Sequence, residues 1–257
     1  MERRIQETLT EIERRENVRI LYAAESGSRA WGFASPDSDY DVRFVYVRPA
    51  PYYLKLDRRR DVLELPIAGD LDVNGWDLDK TLRLLHGSNP TLFEWFSSPV
   101  VYRSGEFTER FLPVMRRCFC SRKGLWHYLS MAKGNYGEFL KGEQVKLKKY
   151  FYVLRPLLAC RWILEHGTPP PMVFRTLARA ELPPELHSIT ESLLEQKIYR
   201  PETAYIPRAD ALNAWLEEET VRVQARIEAQ PPDPPVGWEE LNALFLSELG
   251  IQAAIEG

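Results

Sequence analysis

Cysteine is scarce in this chain, with three in 257 residues (Cys118, Cys120 and Cys160), an odd number that makes no disulfide framework. No apolar run approaches the roughly 20 residues that span a bilayer. The opening Met-Glu-Arg-Arg-Ile-Gln-Glu lacks the apolar stretch of a secretory signal. These absences lead us to expect a reduced, cytoplasmic protein with no membrane partner. Charge of one sign is not in large excess either: 34 Lys and Arg stand against 37 Asp and Glu, for a net charge of -3 and a pI of 5.9. That balance excludes coating nucleic acid through bulk positive charge, though it leaves room for a local basic surface. There is no internal repeat, and the only biased tract is Pro231-Pro232-Asp233-Pro234-Pro235. What is present is a globular mixture, 44% hydrophobic, 28% charged and 12% aromatic, in a length that suits one large domain or two smaller ones.

Along the chain the periodicity changes. Residues 2–16 put Ile5, Leu9 and Ile12 on one helical face. A short apolar run from Val18 to Ala24 reads as a buried strand, and a loop rich in Gly, Ser and Asp follows from Glu25 to Asp37. Tyr40 to Val47 is dense in β-branched and aromatic residues and reads as a strand ending at Arg48-Pro49. Residues 61–65 and 70–73 predict two more strands, and Trp76 to Leu85 predicts a helix closed by Gly87-Ser88-Asn89-Pro90. Thr91 to Phe96 predicts one or two further helical turns. Beyond about residue 106 the strand signals disappear. Helices are expected over Arg122–Leu140, Glu143–His166, Pro184–Glu195 and Asp210–Ala229, with a last one over Trp238–Leu249 after the prolines. The expected class is α+β: a head of small mixed sheet with helices over 1–105, then a helical body over 106–257.

The chemistry concentrates in Glu25 to Arg43. Gly27-Ser28 opens the loop, ten residues intervene, and Asp39-Tyr40-Asp41 begins the next strand. Side chains alternate along a strand, so Asp39 and Asp41 share a face. Two carboxylates there offer hard oxygen ligands that suit Mg²⁺. A glycine allows close backbone approach to a phosphate, and a serine hydroxyl adds a donor. Arg29 and Arg43 flank this place, where a guanidinium matches phosphate geometry or neutralises the acids. Either element alone is commonplace; the combination between two strands is what points to nucleotidyl transfer, in which two ions clamp the attacking and leaving oxygens.

Gly27-Ser28, ten residues, then Asp39-x-Asp41 resembles the signature of the DNA polymerase β-type nucleotidyltransferase superfamily. The fuller Glu-Ser-Gly-Ser-Arg-Ala-Trp-Gly-Phe and Asp-Ser-Asp-Tyr-Asp-Val-Arg strings are similar to its RNA-ligase-associated RNA-repair branch. So are Gly75-Trp76-Asp77-Leu78 with Ser88-Asn89-Pro90, Glu94-Trp95 with Ser98-Pro99, and Lys149-Tyr-Phe-Tyr-Val-Leu-Arg155-Pro156. The resemblance covers about residues 18–175. It implies a polymerase β-like catalytic head and a third carboxylate on a neighbouring strand. Asp70, Asp72 and Asp77 are the candidates. Asp72, between Leu71 and Val73, best fits the apolar-acid-apolar pattern, while Asp77 reads more simply as a first-turn charge. The implied roles are metal binding and catalysis for Asp39, Asp41 and Asp72, with Asp72 helping to deprotonate the acceptor.

Lys148, Tyr152 and Arg155 fall at i, i+4 and i+7 of the expected helix. By the same resemblance they complete the nucleotide pocket with Gly27, Ser28, Arg29 and Arg43; otherwise they are a solvated basic face over a packed tyrosine. Residues 121–155 hold eight Lys or Arg against two Glu, a basic stretch in an acidic chain. Cys118-Phe119-Cys120 lacks the paired pattern of a zinc site. Arg58-Arg59-Arg60 is either a contact for a nucleic-acid backbone or a solvated turn. The expected function is a Mg²⁺-dependent nucleotidyltransferase, with Mn²⁺ as a substitute ion, that moves an NMP from an NTP, ATP among them, to an RNA 3′ end and releases pyrophosphate. The alternatives are AMP transfer to a protein or small-molecule hydroxyl, and a non-catalytic nucleotide- or RNA-binding module. Oligomeric state is not legible.

Overall fold

Ile5, Leu9 and Ile12 recur at helical spacing, and they anchor α1 (Glu2–Glu16) on a sheet. The computed structural model describes residues 1–57, 60–67 and 69–251, so Arg58 and Arg59 of the arginine run lie outside the described residues. Next in chain order come β1 (Arg19–Glu25), a single turn α2 (Gly27–Ala30), β2 (Tyr40–Val47), a single turn α3 (Ala50–Tyr53), β3 (Val62–Glu64) and β4 (Leu71–Asp77). Then follow α4 (Leu78–His86), α5 (Pro90–Phe96), β5 (Val101–Arg103) and α6 (Glu106–Arg117). The five strands form one sheet in the order β3-β4-β2-β1-β5. β2 and β4 run parallel and the other neighbours antiparallel, so the sheet is mixed. Val42, Phe44, Tyr46, Leu63, Leu71 and Val73 pack with the apolar face of α1.

The second unit consists of α7 (Ser121–Phe139), β6 (Gln144–Lys146), α8 (Leu147–His166), α9 (Phe174–Glu181), α10 (Pro184–Tyr199), β7 (Tyr205–Pro207) and α11 (Asp210–Glu228). Its core gathers on α8, whose Phe151, Leu154, Leu157 and Leu158 are wholly buried. All three cysteines are buried. Among the described residues no helix is long and apolar enough to cross a membrane.

The α+β class is as expected; several boundaries are not. The two compact units comprise residues 1–27, 39–118 and 235–257, and residues 28–38 and 119–234, rather than 1–105 and 106–257. Residues 28–38 join the second unit because Phe33 packs among Phe151 and Phe174. The last helix, α12 (Glu239–Glu248), returns to the head: Glu248 is buried against Arg19 and Arg110, and Trp238 stacks on His86 at 3.7 Å. Strand β4 runs on to Asp77 where a helix from Trp76 is expected, since Trp76 pairs with Val45 on one side and Val62 on the other. The strands do not end at residue 106 either. β6 and β7 pair antiparallel, and α8 accordingly begins at Leu147 rather than Glu143.

Candidate active site

In the head, the parallel register sets Asp41 of β2 directly beside Asp72 of β4. Arg43, two residues along β2, falls on the same face. Its Nη2 donates to Asp41 Oδ1 at 2.9 Å and to Asp72 Oδ2 at 2.7 Å, and its Nη1 donates to the Asp72 carbonyl at 3.2 Å. Burial pushes the Asp41 carboxyl above the usual carboxylate range; Arg43 opposes that, and the nearby Asp72 and Asp39 charges add to it. Asp39 stands exposed just before the strand.

The backbone of β1 frames the same place. Ser26 N donates to the Asp41 carbonyl at 2.8 Å. Glu25, 1% exposed, accepts from Asp41 N at 2.7 Å and from the Tyr102 hydroxyl. Gly27 has φ +58°, and a side chain there would collide with Asp41 Oδ2. Glycine is thus required twice, for the left-handed backbone and for the room it leaves a carboxylate. The sequence points to Gly27 for phosphate approach; its immediate neighbour here is Asp41. Glu25 and Tyr102 were missed, although an acid ending an apolar strand next to Gly27 is a legible signal.

The other two candidates, Asp70 just before β4 and Asp77 at its end, have different surroundings. Asp70 is exposed, and its carboxylate meets Arg4 Nη1 at 3.1 Å. Asp77 ends β4 and is only 2% exposed. Its side chain accepts from Asp79 N at 2.9 Å, which makes it the N-cap of α4, and from the Tyr53 hydroxyl at 3.0 Å. Burial pushes its pKa up to about 6 against those two donors. It is a cap inside the protein rather than a first-turn charge. Of the three candidates, Asp72 is the one beside Asp41.

A divalent cation is tested by this donor set. Carboxylate oxygens at the end of a strand face, where like charges already disfavour ionisation, fit Mg²⁺ in chemistry. Among the described residues no group of three His, Cys, Asp or Glu side chains is assembled as a metal site. The Asp41–Asp72 pair has the Arg43 guanidinium as its common counter-charge, which is the neutralising role that the sequence allows Arg43.

In the second unit, Ser28 accepts from Phe33 N through its carbonyl at 3.0 Å. Arg29 donates to the Ser38 carbonyl at 2.8 Å and so closes the 28–38 loop. Lys148 donates to Glu202 Oε2 at 3.0 Å. Tyr152 meets Trp31 edge-on at 5.4 Å. Arg155, at 2% exposure, is internal, with its guanidinium 4.8 Å from the Trp31 ring centre and 3.3 Å from Met172 Sδ. Lys197 was not foreseen. It is 3% exposed and donates to Ser35 Oγ at 2.9 Å and Glu202 Oε1 at 3.2 Å, while Glu202 also accepts from Ser38 Oγ at 2.9 Å. Burial holds the Lys197 ammonium below the usual lysine range. Lys197 and Lys148 thus share Glu202, and with it they tie the loop to the helices.

Comparison with known proteins adds to this geometry. The profile described as "RNA repair pathway DNA polymerase beta family" matches residues 1–247. The chain is 45% identical over 249 residues to "Uncharacterized protein YcgL" of Bacillus subtilis (strain 168), covering 96% of each. Among solved structures it is similar to a nucleotidyltransferase-like protein from Exiguobacterium sibiricum 255-15, at 14% identity and a TM-score of 0.31, over 95% of this chain and 78% of that one.

Proposed function

This chain belongs to the RNA repair pathway DNA polymerase beta family, and from that premise we propose that it transfers an NMP from an NTP to a hydroxyl group, with an RNA 3′ end as the acceptor. The acceptor oxygen attacks the α-phosphorus. A phosphate ester to the acceptor forms, the bond to the β-phosphate oxygen breaks, and pyrophosphate leaves. Asp72 takes the hydroxyl proton. Asp39, Asp41 and Asp72 are the residues that would hold Mg²⁺, which when bound supplies charge neutralisation to the attacking and leaving oxygens. Glu25 holds the Asp41 backbone in place and so orients the carboxylate beside it. Arg43 bridges Asp41 and Asp72 by charge-assisted hydrogen bonds.

The observation that carries this reading is the Asp41–Asp72 register pair next to Gly27. The test incubates the protein with Mg²⁺, each α-labelled NTP in turn, and single-stranded RNA. Labelled RNA and released pyrophosphate are expected. Asp41→Asn and Asp72→Asn should each lower the rate by about 100-fold or more, on the scale of losing a metal-held charge stabilisation. Transfer that both variants retain at the wild-type rate rejects the assignment. With cell lysate supplied beside the RNA, label confined to the protein fraction moves the acceptor to a protein hydroxyl.

A further inference from the structure

β6 and β7 form a two-stranded ribbon whose two faces differ sharply. Val145 and Ile206, paired across it, are 1% and 5% exposed and belong to the helical core. Strand alternation turns Gln144, Lys146, Tyr205 and Pro207 to the other side. Lys146 and Tyr205 are register partners, with the ammonium 5.9 Å from the ring centre. Tyr205 is 57% exposed, and Tyr199, which ends α10 on the way into β7, is 81% exposed. The flanks are basic. Residues 141–149 and 199–208 contain six Lys or Arg against two Glu, in a chain whose net charge is -3. One of those two acids, Glu202, is already taken by Lys148 and Lys197.

We infer that the outer face of this ribbon is a platform for single-stranded RNA, an inference that rests on the RNA-acceptor reading and says where the helical unit grips the strand. The chemistry favours a nucleic acid over an acidic protein. An acidic segment would use the cations and leave the tyrosine rings without a role. Each nucleotide, by contrast, brings a π face for a ring and a phosphate for a cation. Three residues per strand give a surface about 10 Å long, enough for one or two nucleotides. The contact is therefore local, and it fits a protein whose overall charge excludes bulk coating.

The experiment measures fluorescence anisotropy of a 5′-labelled single-stranded RNA with the full chain at about 50 and about 200 mM KCl, a range over which phosphate contacts weaken steeply. Tyr205→Ala should weaken binding about 5- to 20-fold, the scale of one lost base stack. Tyr205→Phe keeps the ring and should stay within about twofold of wild type. Lys146→Ala should weaken binding and flatten the logarithmic salt slope by about 0.7, as for one phosphate contact to a single strand. If the wild type binds RNA and both alanine variants bind it equally well, the ribbon is rejected and the RNA acceptor stands. If the wild type binds no RNA at either salt, the RNA acceptor falls and the ribbon with it. If polyglutamate binds as tightly as RNA and depends on Lys146 but not on Tyr205, the face belongs to an acidic protein partner.

Discussion

Arg43 in the head lies on a sheet face between Asp41 and Asp72, with 19% of its side chain still exposed; Arg155 in the helical unit is 2% exposed, over Trp31 and against Met172. The head keeps Asp41, Asp72 and Arg43 together on a half-exposed face. The helical unit takes charges inside: Lys197 reaches Ser35 and Glu202, and Glu219, 1% exposed, meets Arg161 at 2.8 Å. A buried charge with fixed partners is expensive to disturb, whereas a half-exposed one is exchangeable. The same residue type is therefore enclosed in one unit and half-exposed in the other.

Three substitutions put that contrast under strain. Arg155→Ala should cost the most, about 3 kcal/mol, because it empties a large internal site. Urea unfolding measures it, and a loss under about 1 kcal/mol would mean that Arg155 is not internal in solution. Asp77, one of the head's buried acids, should come next. Its carboxyl, raised to about 6 by burial, is protonated more readily in the fold than in the unfolded chain. It therefore contributes fully below the unfolded value of about 3.9, and that contribution is lost as pH rises through about 6, on the order of 3 kcal/mol in all. Asp77→Asn should flatten the decline in thermal midpoint between pH 4 and pH 6.5; an unchanged slope would contradict the burial argument. Arg43→Ala should cost least, about 1 kcal/mol for charge-assisted hydrogen bonds that water partly replaces. The deficit should shrink as acid protonates Asp41, whose carboxyl burial holds above the usual range, and comparing urea midpoints at pH 8 and pH 4 checks it. A loss equal to that of Arg155→Ala would erase the distinction between the units.

Legibility followed the same division. The helix over 2–16 and the strand over 40–47 come straight from local periodicity, and the structure has both. Placing Asp39 and Asp41 near a strand start needs only alternation. Choosing among Asp70, Asp72 and Asp77 needs the pairing register of β2 with β4, and β4 is a strand beyond residue 73 only because two neighbours pair with it. Lys197 lies 162 residues from Ser35, so no window of sequence brings them together. Lys148, Tyr152 and Arg155 look equivalent by helical spacing. Packing separates them: Lys148 is half-buried on Glu202, and Arg155 is internal.

Sequence alone determined the α+β class, the Gly27-Ser28 and Asp39-x-Asp41 motif, and the strand face that carries Asp41, because each depends on neighbours a few bonds away. Tertiary structure decided that Asp72 stands beside Asp41, that Asp77 caps a helix from the interior, and that Arg155 is enclosed. It also brought the helix after the prolines back to the head. These outcomes depend on register and burial between distant segments, where desolvation and packing outweigh anything local spacing can express.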